Sequence, residues 1–320
     1  VAKPAQARAT PRKPAAADAP TRPADIKTEG PPPEDPPPED SDPGAANLSE
    51  AQTKDVEESS RLSAVMIYEI LRREGEEEMN RPTTSLWWSG VAAGLSISVS
   101  LITQGVLQAH LPDTPWRPLV TGLGYTTGFL IVVLARHQLF TENTITAVLP
   151  VAARLTPLNL LRMGRLWGLV LIANLVGTFT AAVFCHYTPV ISPDILTAML
   201  AISTETIAHA PGEIICKGVA AGFLIAAMVW MLPSANTSQF HVILLMTYLI
   251  AIGGFAHVVA GSFEGFMLVL SGRLPLWSML AGFEAPALLG NIIGGTALFA
   301  LISYGQVAKE MHAGGDGAAP

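Results

Sequence analysis

From Leu86 onward the chain nearly lacks charge, and other absences accompany that one. Only 14% of residues are charged while 50% are hydrophobic. Two cysteines, Cys185 and Cys216, show no CxxC or metal spacing and read as ordinary apolar-phase residues. No HExxH, GxSxG or Cys/His cluster occurs, so a membrane enzyme has no converging nucleophile, base or metal ligands; no enzyme, cofactor or metal site is expected. There is no NPA triplet, which excludes an aquaporin proper. The early residues Lys3, Arg8, Arg12, Lys13 and Arg22 are basic, but no apolar h-region follows, so a secretory signal peptide is not expected. Residues 1–58 hold almost no large apolar side chain, and Pro31 to Asp40 reads PPPEDPPPED. Such a segment cannot bury enough surface to offset its ordering entropy and is expected to be a disordered tail. The net charge of −7 comes largely from it and the segment after it. Nothing calls for nucleic acid as a partner.

What is present is organised around Gly124 to Val151, GYTTGFLIVVLARHQLFTENTITAVLPV. It begins as an apolar helix, meets Arg136, His137, Gln138, Thr141, Glu142 and Asn143, then resumes as a short apolar run. Each charge at that depth costs roughly 2.5 to 3.5 kcal/mol in hydrocarbon. Irregular backbone there is tolerated only within protein or beside a water-filled cavity, so an interrupted span points to a transport site.

Six spans are expected within a transport domain of residues 83–306. They lie near 86–109, 118–153 (the broken one), 161–187, 212–232, 240–271 and 276–304. The second runs to about 36 residues, where a straight crossing needs roughly 20. The fifth is also too long and is interrupted by GGFAHVVAGSFEG, Gly253 to Gly265. Residues 59–82 form an amphipathic helix and linker, with apolar side chains at 62, 65, 66, 67 and 70; the helix packs on its own membrane domain or binds a partner. Residues 307–320 are a C-terminal tail. Arg72, Arg73, Arg81, Arg154, Arg162, Arg165 and Lys309 cluster on one side of the spans, with Arg117, Arg273 and Lys217 on the other, so both termini are expected in the cytoplasm.

An internal repeat is visible. Asn174-Leu-Val-Gly177-Thr178 in span 3 matches Asn291-Ile-Ile-Gly294-Gly295-Thr296 in span 6, both Asn and Gly offset by 117. The same offset carries LFTEN, 139–143, onto AHVVA, 256–260, so the two breaks coincide. Three spans per half give an inverted repeat with paired broken helices meeting near the midplane. The small residues of NxxG allow close helix approach, and Asn174 and Asn291 read as interhelical hydrogen-bonding residues.

These features resemble the formate/nitrite transporter family over about residues 60 to 305: the LFT turn (Leu139, Phe140, Thr141), AN-x2-G-T in span 3, VWM (Val229 to Met231), GF-x-H (Gly254 to His257) and LGNIIGG (Leu289 to Gly295). The run ARHQLFTENTITAVLPV is similar to the YfdC-like branch of that family. The resemblance implies an aquaporin-like all-α protomer, a homopentamer in the lipid bilayer of a bacterial inner membrane, and one pore per protomer. It further implies passage of small monovalent anions or their conjugate acids. It places His257 mid-pore beside Thr141, with constriction residues Leu139 and Phe140 on one side and Tyr125 and Ile250 on the other. Departures are His137-Gln138 where the family has Ser-Glu, Ala256 where it has Glu, Gly222 and Gly261 where it has Asn, and the extra cation Arg136. They remove acidic and polar groups near the pore.

Read from the residues alone, His257 either bonds a neighbouring helix or serves the pore. Thr141 is placed to N-cap the second half-helix, and Glu142 to complement its dipole. Arg136 pairs with Glu142, pairs with Glu264, or attracts anions. Lys217 is a snorkelling anchor or a vestibule charge. The alternatives are the same fold passing another small or neutral solute or working proton-coupled, and a membrane scaffold or sensor using the tail and the amphipathic helix.

Overall fold

The computed structural model describes residues 62–313, with side chains through Ala308. The expected tail of residues 1–58 and most of the C-terminal tail lie outside the described residues. Those described are helical throughout, with no strand.

Helix α1 (Ala64–Asn80) begins at Ser63, whose hydroxyl accepts from Met66 N at 3.2 Å. Its buried residues are Ile67, Tyr68, Leu71, Gly75 and Met79. The stripe is therefore rotated from the one read at 62–70: Met66 is 53% exposed, while Tyr68 and Leu71 are each 1% exposed. The helix packs on its own membrane domain.

Helices α2 (Thr83–Ile97) and α3 (Val99–His110) form one apolar run hitched at Ser98, whose hydroxyl donates back to Gly94 O at 2.8 Å. Then come α4 (Arg117–Leu134), α5 (Phe140–Thr146), α6 (Val148–Ala153) and the long α7 (Pro157–Tyr187). Thr156 caps α7 by accepting from Asn159 N at 3.2 Å, and Pro157 fills its first turn, where a missing N–H costs nothing. Residues between spans 3 and 4, left unassigned from sequence, contain α8 (Pro193–Ile207), which packs against α3 and the later half-helix α11 (Val258–Leu270).

Helix α9 (Pro211–Ala235) turns at Asn236, whose φ is 39°, into α10 (Gln239–Ile252). After α11, the last stretch runs from α12 (Leu276–Met279) through α13 (Ala285–Ile292) to α14 (Leu301–Ala313), with π-helical segments at Leu280–Glu284 and Ile293–Ala300. Among the described residues five helical stretches are long and apolar enough to cross a membrane: Thr83–His110, Arg117–Leu134, Pro157–Tyr187, Pro211–Ile252 and Leu276–Ala308.

The tightest packing joins α2 to α7 and α9 to α13. The NxxG glycines make both possible. A Cβ on Gly177 would lie 2.3 Å from Val91 O, and one on Gly294 would lie 2.1 Å from Val219 O. No side chain fits either place.

Candidate functional site: two helix breaks and the cavities beside them

Two apolar helices stop and restart inside the domain, at 135–139 and 253–257. Their ends are closed by the same hydrogen bonds. Ala135, Arg136 and His137 donate to Ile131, Val133 and Val132 carbonyls; Gly253, Gly254 and Phe255 donate to Leu249, Ala251 and Ile250. This is the left-handed C-terminal turn of a helix, with φ of 55° at Arg136 and 59° at Gly254.

Each break is then tied to a neighbouring helix by one asparagine. Asn174 Oδ1 accepts from Phe140 N at 2.9 Å, while its amide donates to Gly90 O and Gln138 O, both at 2.9 Å. Asn291 Oδ1 accepts from Val258 N at 2.9 Å, and its amide donates to Gly218 O and Ala256 O at 2.9 and 2.8 Å. Backbone groups freed by the breaks thus regain partners where hydrocarbon supplies none. Phe140 precedes Asn174 by 34 residues and Val258 precedes Asn291 by 33. The breaks therefore pair Phe140 with Val258 and Leu139 with His257, one position off the register read from the asparagines.

His257 is the N-cap of α11. Its Nδ1 accepts from Ala260 N at 3.2 Å, and its Nε2 lies 2.8 Å from Thr141 Oγ1. A nitrogen that accepts carries no proton, so the neutral ring is protonated at Nε2 and donates to Thr141. The Phe129 ring meets the imidazole edge-on at 5.0 Å. Thr141 is not the expected N-cap: Leu139 holds that place, with Asn174 satisfying the free N–H, and Thr141 lies inside the first turn with Glu142. Leu139, Phe140 and Thr141 are all but fully buried.

Two separate cavities lie near this station. One, of about 610 Å³, is lined by Glu74, Glu78, Arg136, Gln138, Glu142 and Thr146 among others. The other, of about 380 Å³, is lined by Tyr125, Ile250, His257, Glu264, Arg117 and Lys217 among others. Leu139, Phe140 and Thr141 line neither. Lys217 lines the second of these cavities, 3.3 Å from Glu213 and 2.7 Å from His209 Nε2.

The charge pair expected for Arg136 is corrected. Its guanidinium meets Glu74 of α1 at 3.3 Å, not Glu142 or Glu264, and Glu264 opens on the other cavity. Arg136 has a left-handed backbone, and its side chain is 83% exposed even while it meets α1. Nor is the region short of acidic groups. Glu78 of α1 accepts from Gln138 Nε2 at 3.0 Å and Thr146 Oγ1 at 2.7 Å. Burial pushes the Glu78 carboxyl above the usual carboxylate range against the pull of those two bonds, and burial likewise raises Glu74 despite Arg136.

A family profile described as formate/nitrite transporter matches residues 65–305. The chain belongs to the formate/nitrite transporter family. The Escherichia coli inner membrane protein YfdC is 44% identical over 248 residues, covering 78% of this chain and 80% of the relative. The Haemophilus influenzae formate channel FocA is 28% identical over 241 residues, covering 67% and 84%. A solved structure described as a pentameric formate channel with formate bound superposes with a TM-score of 0.61 at 21% identity, over 71% of this chain and 97% of that one. Another, an FNT family ion channel, gives 0.64 at 20% identity over 75% and 97%. The chain is thus an integral membrane protein, all-helical among the described residues, with the fold of that channel family.

Sequence reading missed Glu78 and Phe129. Phe129 lay in a uniformly apolar run, and Glu78 in an acidic run that read as a solvated helix face; neither carried a signal of its own.

Proposed function

We propose that the chain conducts small monovalent anions or their conjugate acids, such as formate or nitrite, with His257 and Thr141 as the polar station of one pore per protomer. The reading extends to a homopentamer in a bacterial inner membrane with both termini cytoplasmic, and to six spans forming two inverted three-helix repeats broken at the second and fifth. The matching breaks, the paired asparagines and the named relatives support it. It requires no covalent chemistry.

The observation that carries it is the 2.8 Å contact of Thr141 with His257, both buried, with His257 on the wall of the smaller cavity. Since the ring donates to Thr141, the threonine hydroxyl proton is free to turn toward a solute. Imidazole, with an ordinary pKa near neutrality, can exchange a proton with a weak-acid anion reaching it. Leu139 and Phe140 exclude hydrated ions on one side, Tyr125 and Ile250 on the other.

The test is uptake of formate, nitrite and hydrosulfide into liposomes from pH 5 to 8, for the parent, His257→Asn and His257→Phe. Asn keeps a donor but cannot titrate, so the pH dependence should vanish. Phe removes the donor, so flux should fall further. Parent-like flux and pH profile in both variants would return His257 to a purely structural role. A neutral solute is the second reading, favoured by Glu74, Glu77, Glu78 and Glu142 lining one cavity against Arg81 and Arg136. Glycerol or urea flux exceeding formate flux in the same liposomes would select it.

A further inference from the structure

Lys217 and His209 both line the cavity on the Tyr125 side, and they touch. The Lys217 ammonium lies 2.7 Å from His209 Nε2, and His209 Nδ1 lies 2.9 Å from Glu213 Oε1. An ammonium only donates, so Nε2 accepts and carries no proton. The ring is then neutral, with its proton on Nδ1 and directed at the carboxylate, which only accepts. Lys217 also reaches Glu213 at 3.3 Å, which closes a clasp of three side chains. Glu213 and Lys217 stand four apart at the start of α9, on one face of it, and His209 lies in the short turn that leads from α8 into that helix. While His209 is neutral, the charges of the clasp sum to zero. A second proton on the imidazole has only Nε2 to occupy, where it faces the ammonium, donor against donor and cation against cation. That contact then breaks. Lys217 is free to turn into the cavity toward the second break, where its Nζ already lies 3.9 Å from the place a Cβ on Gly254 would take.

We propose that His209 is a positioning residue for Lys217: neutral, it holds the ammonium against Glu213 at the cavity wall, and protonated, it releases it to meet solute, so that the cavity captures formate better at acid pH. An imidazole is the side chain that ordinarily changes charge between pH 5 and 8. The inference rests on the transport reading above and adds to it a residue, apart from His257 and Thr141, that sets capture. The other titratable groups of the cavity are Arg117, Tyr125, Glu205, His257 and Glu264, and Arg117 is paired with Asp113 at 2.9 Å. Helix α8 adds Asp194. The elements packed on α8 and α9 add His110 of α3, His241 and Tyr248 of α10, Glu142 of α5, Glu284 of the first π-helical segment and the charges of α1. Among the described residues none of these bonds to His209 or Lys217, whose partners are each other and Glu213.

Two measurements test it. Acetylation of Lys217 by a water-soluble acylating reagent at pH 7.5, read by peptide mass, reports the clasp without any transport. The half-saturating concentration for formate uptake into liposomes from pH 5 to 8 reports its use. In the parent that concentration should fall several-fold from pH 8 to pH 5. His209→Gln, whose amide oxygen still accepts from Lys217 and does not titrate, should keep acetylation slow and hold the alkaline value throughout. His209→Ala frees the ammonium, so acetylation should quicken several-fold and the acid value should hold throughout. Lys217→Met should raise the half-saturating concentration at every pH. The maximal rate, where His257 acts, should change little in all three. Acetylation as slow in His209→Ala as in the parent overturns the proposal. So does a parent-like fall with pH in either His209 variant, and in both cases formate still crosses and the transport reading stands. A parent that passes no formate sinks the transport reading and this inference with it.

Discussion

At the first break the residue entering the second half-helix is Leu139, and two positions on stands Thr141. At the second they are His257 and Val259. The backbone turns are the same bond for bond, and each is held by one asparagine. The side chains are opposite in character, apolar then polar against polar then apolar. Two like surfaces facing each other would have set hydroxyl against hydroxyl or leucine against leucine. The inversion instead lets Thr141 of one break meet His257 of the other at 2.8 Å, and the common scaffold holds that single contact in place. The breaks also differ in cover: α1 lies against the first through Glu74 and Glu78, whereas the second opens directly on its cavity.

If the scaffold is common, its two asparagines should matter equally. Each makes three buried bonds, two of them to backbone groups freed by its break. Asn174→Ala and Asn291→Ala should each cost roughly 3 kcal/mol or more, since each orphaned group costs about 1 to 3. The thermal midpoint in detergent reports this. A drop confined to one of the two would break the equivalence and assign the other break's rigidity to its surroundings.

The asparagines were legible in sequence because NxxG recurs inside apolar spans, and the breaks because Arg136 to Asn143 cannot lie in lipid as plain helix. The one-residue register error had a physical cause: the break-to-asparagine separation is 34 residues in one half and 33 in the other, and no spacing pattern shows that. The partners of the break were illegible for another reason. Glu78 reaches Gln138 across 60 residues and Arg136 meets Glu74 across 62. An acidic run reads as solvated unless the helix rotation is known, and α1 turns its stripe away from the position its apolar residues suggested. Helix α8 escaped because its segment is bounded by Pro193 and Pro211 and resembles a connection.

The unequal cover gives the next test. Burial raises the Glu78 carboxyl, so its folded-state pKa lies above the unfolded one. Such a group favours the docked helix fully below the unfolded pKa and loses that contribution as pH rises through the folded pKa. Docking of α1 should therefore weaken as pH rises from acid through neutral, and Glu74, raised for the same reason, adds to it. Glu78→Gln should remove much of this dependence, stabilising the docked helix by about 1 kcal/mol at the alkaline end. Protease cleavage within α1 from pH 5 to 8 measures it. Cysteine labelling at the second break, which α1 does not cover, should show no such trend. A trend of equal size there would mean that α1 is not what distinguishes the breaks.

The smallest expected effect lies in the turns themselves. Arg136 and Gly254 hold equivalent left-handed positions, with φ of 55° and 59°. A Cβ in that region meets the following carbonyl, at a cost of roughly 1 to 2 kcal/mol, and glycine has none. Arg136 thus bears strain that its counterpart avoids. Its contact with Glu74 is exposed and offsets little of it. Arg136→Gly should therefore leave the protein as stable as the parent, or more so by up to about 1 kcal/mol. Gly254→Ala should lose about that much, because it places a Cβ where the second break has none. The two changes are compared by thermal midpoint in the same detergent. Opposite signs are expected from one shared turn geometry. If Arg136→Gly were instead the more damaging, the Arg136–Glu74 contact would outweigh the backbone, and α1 would be anchored to the first break by charge.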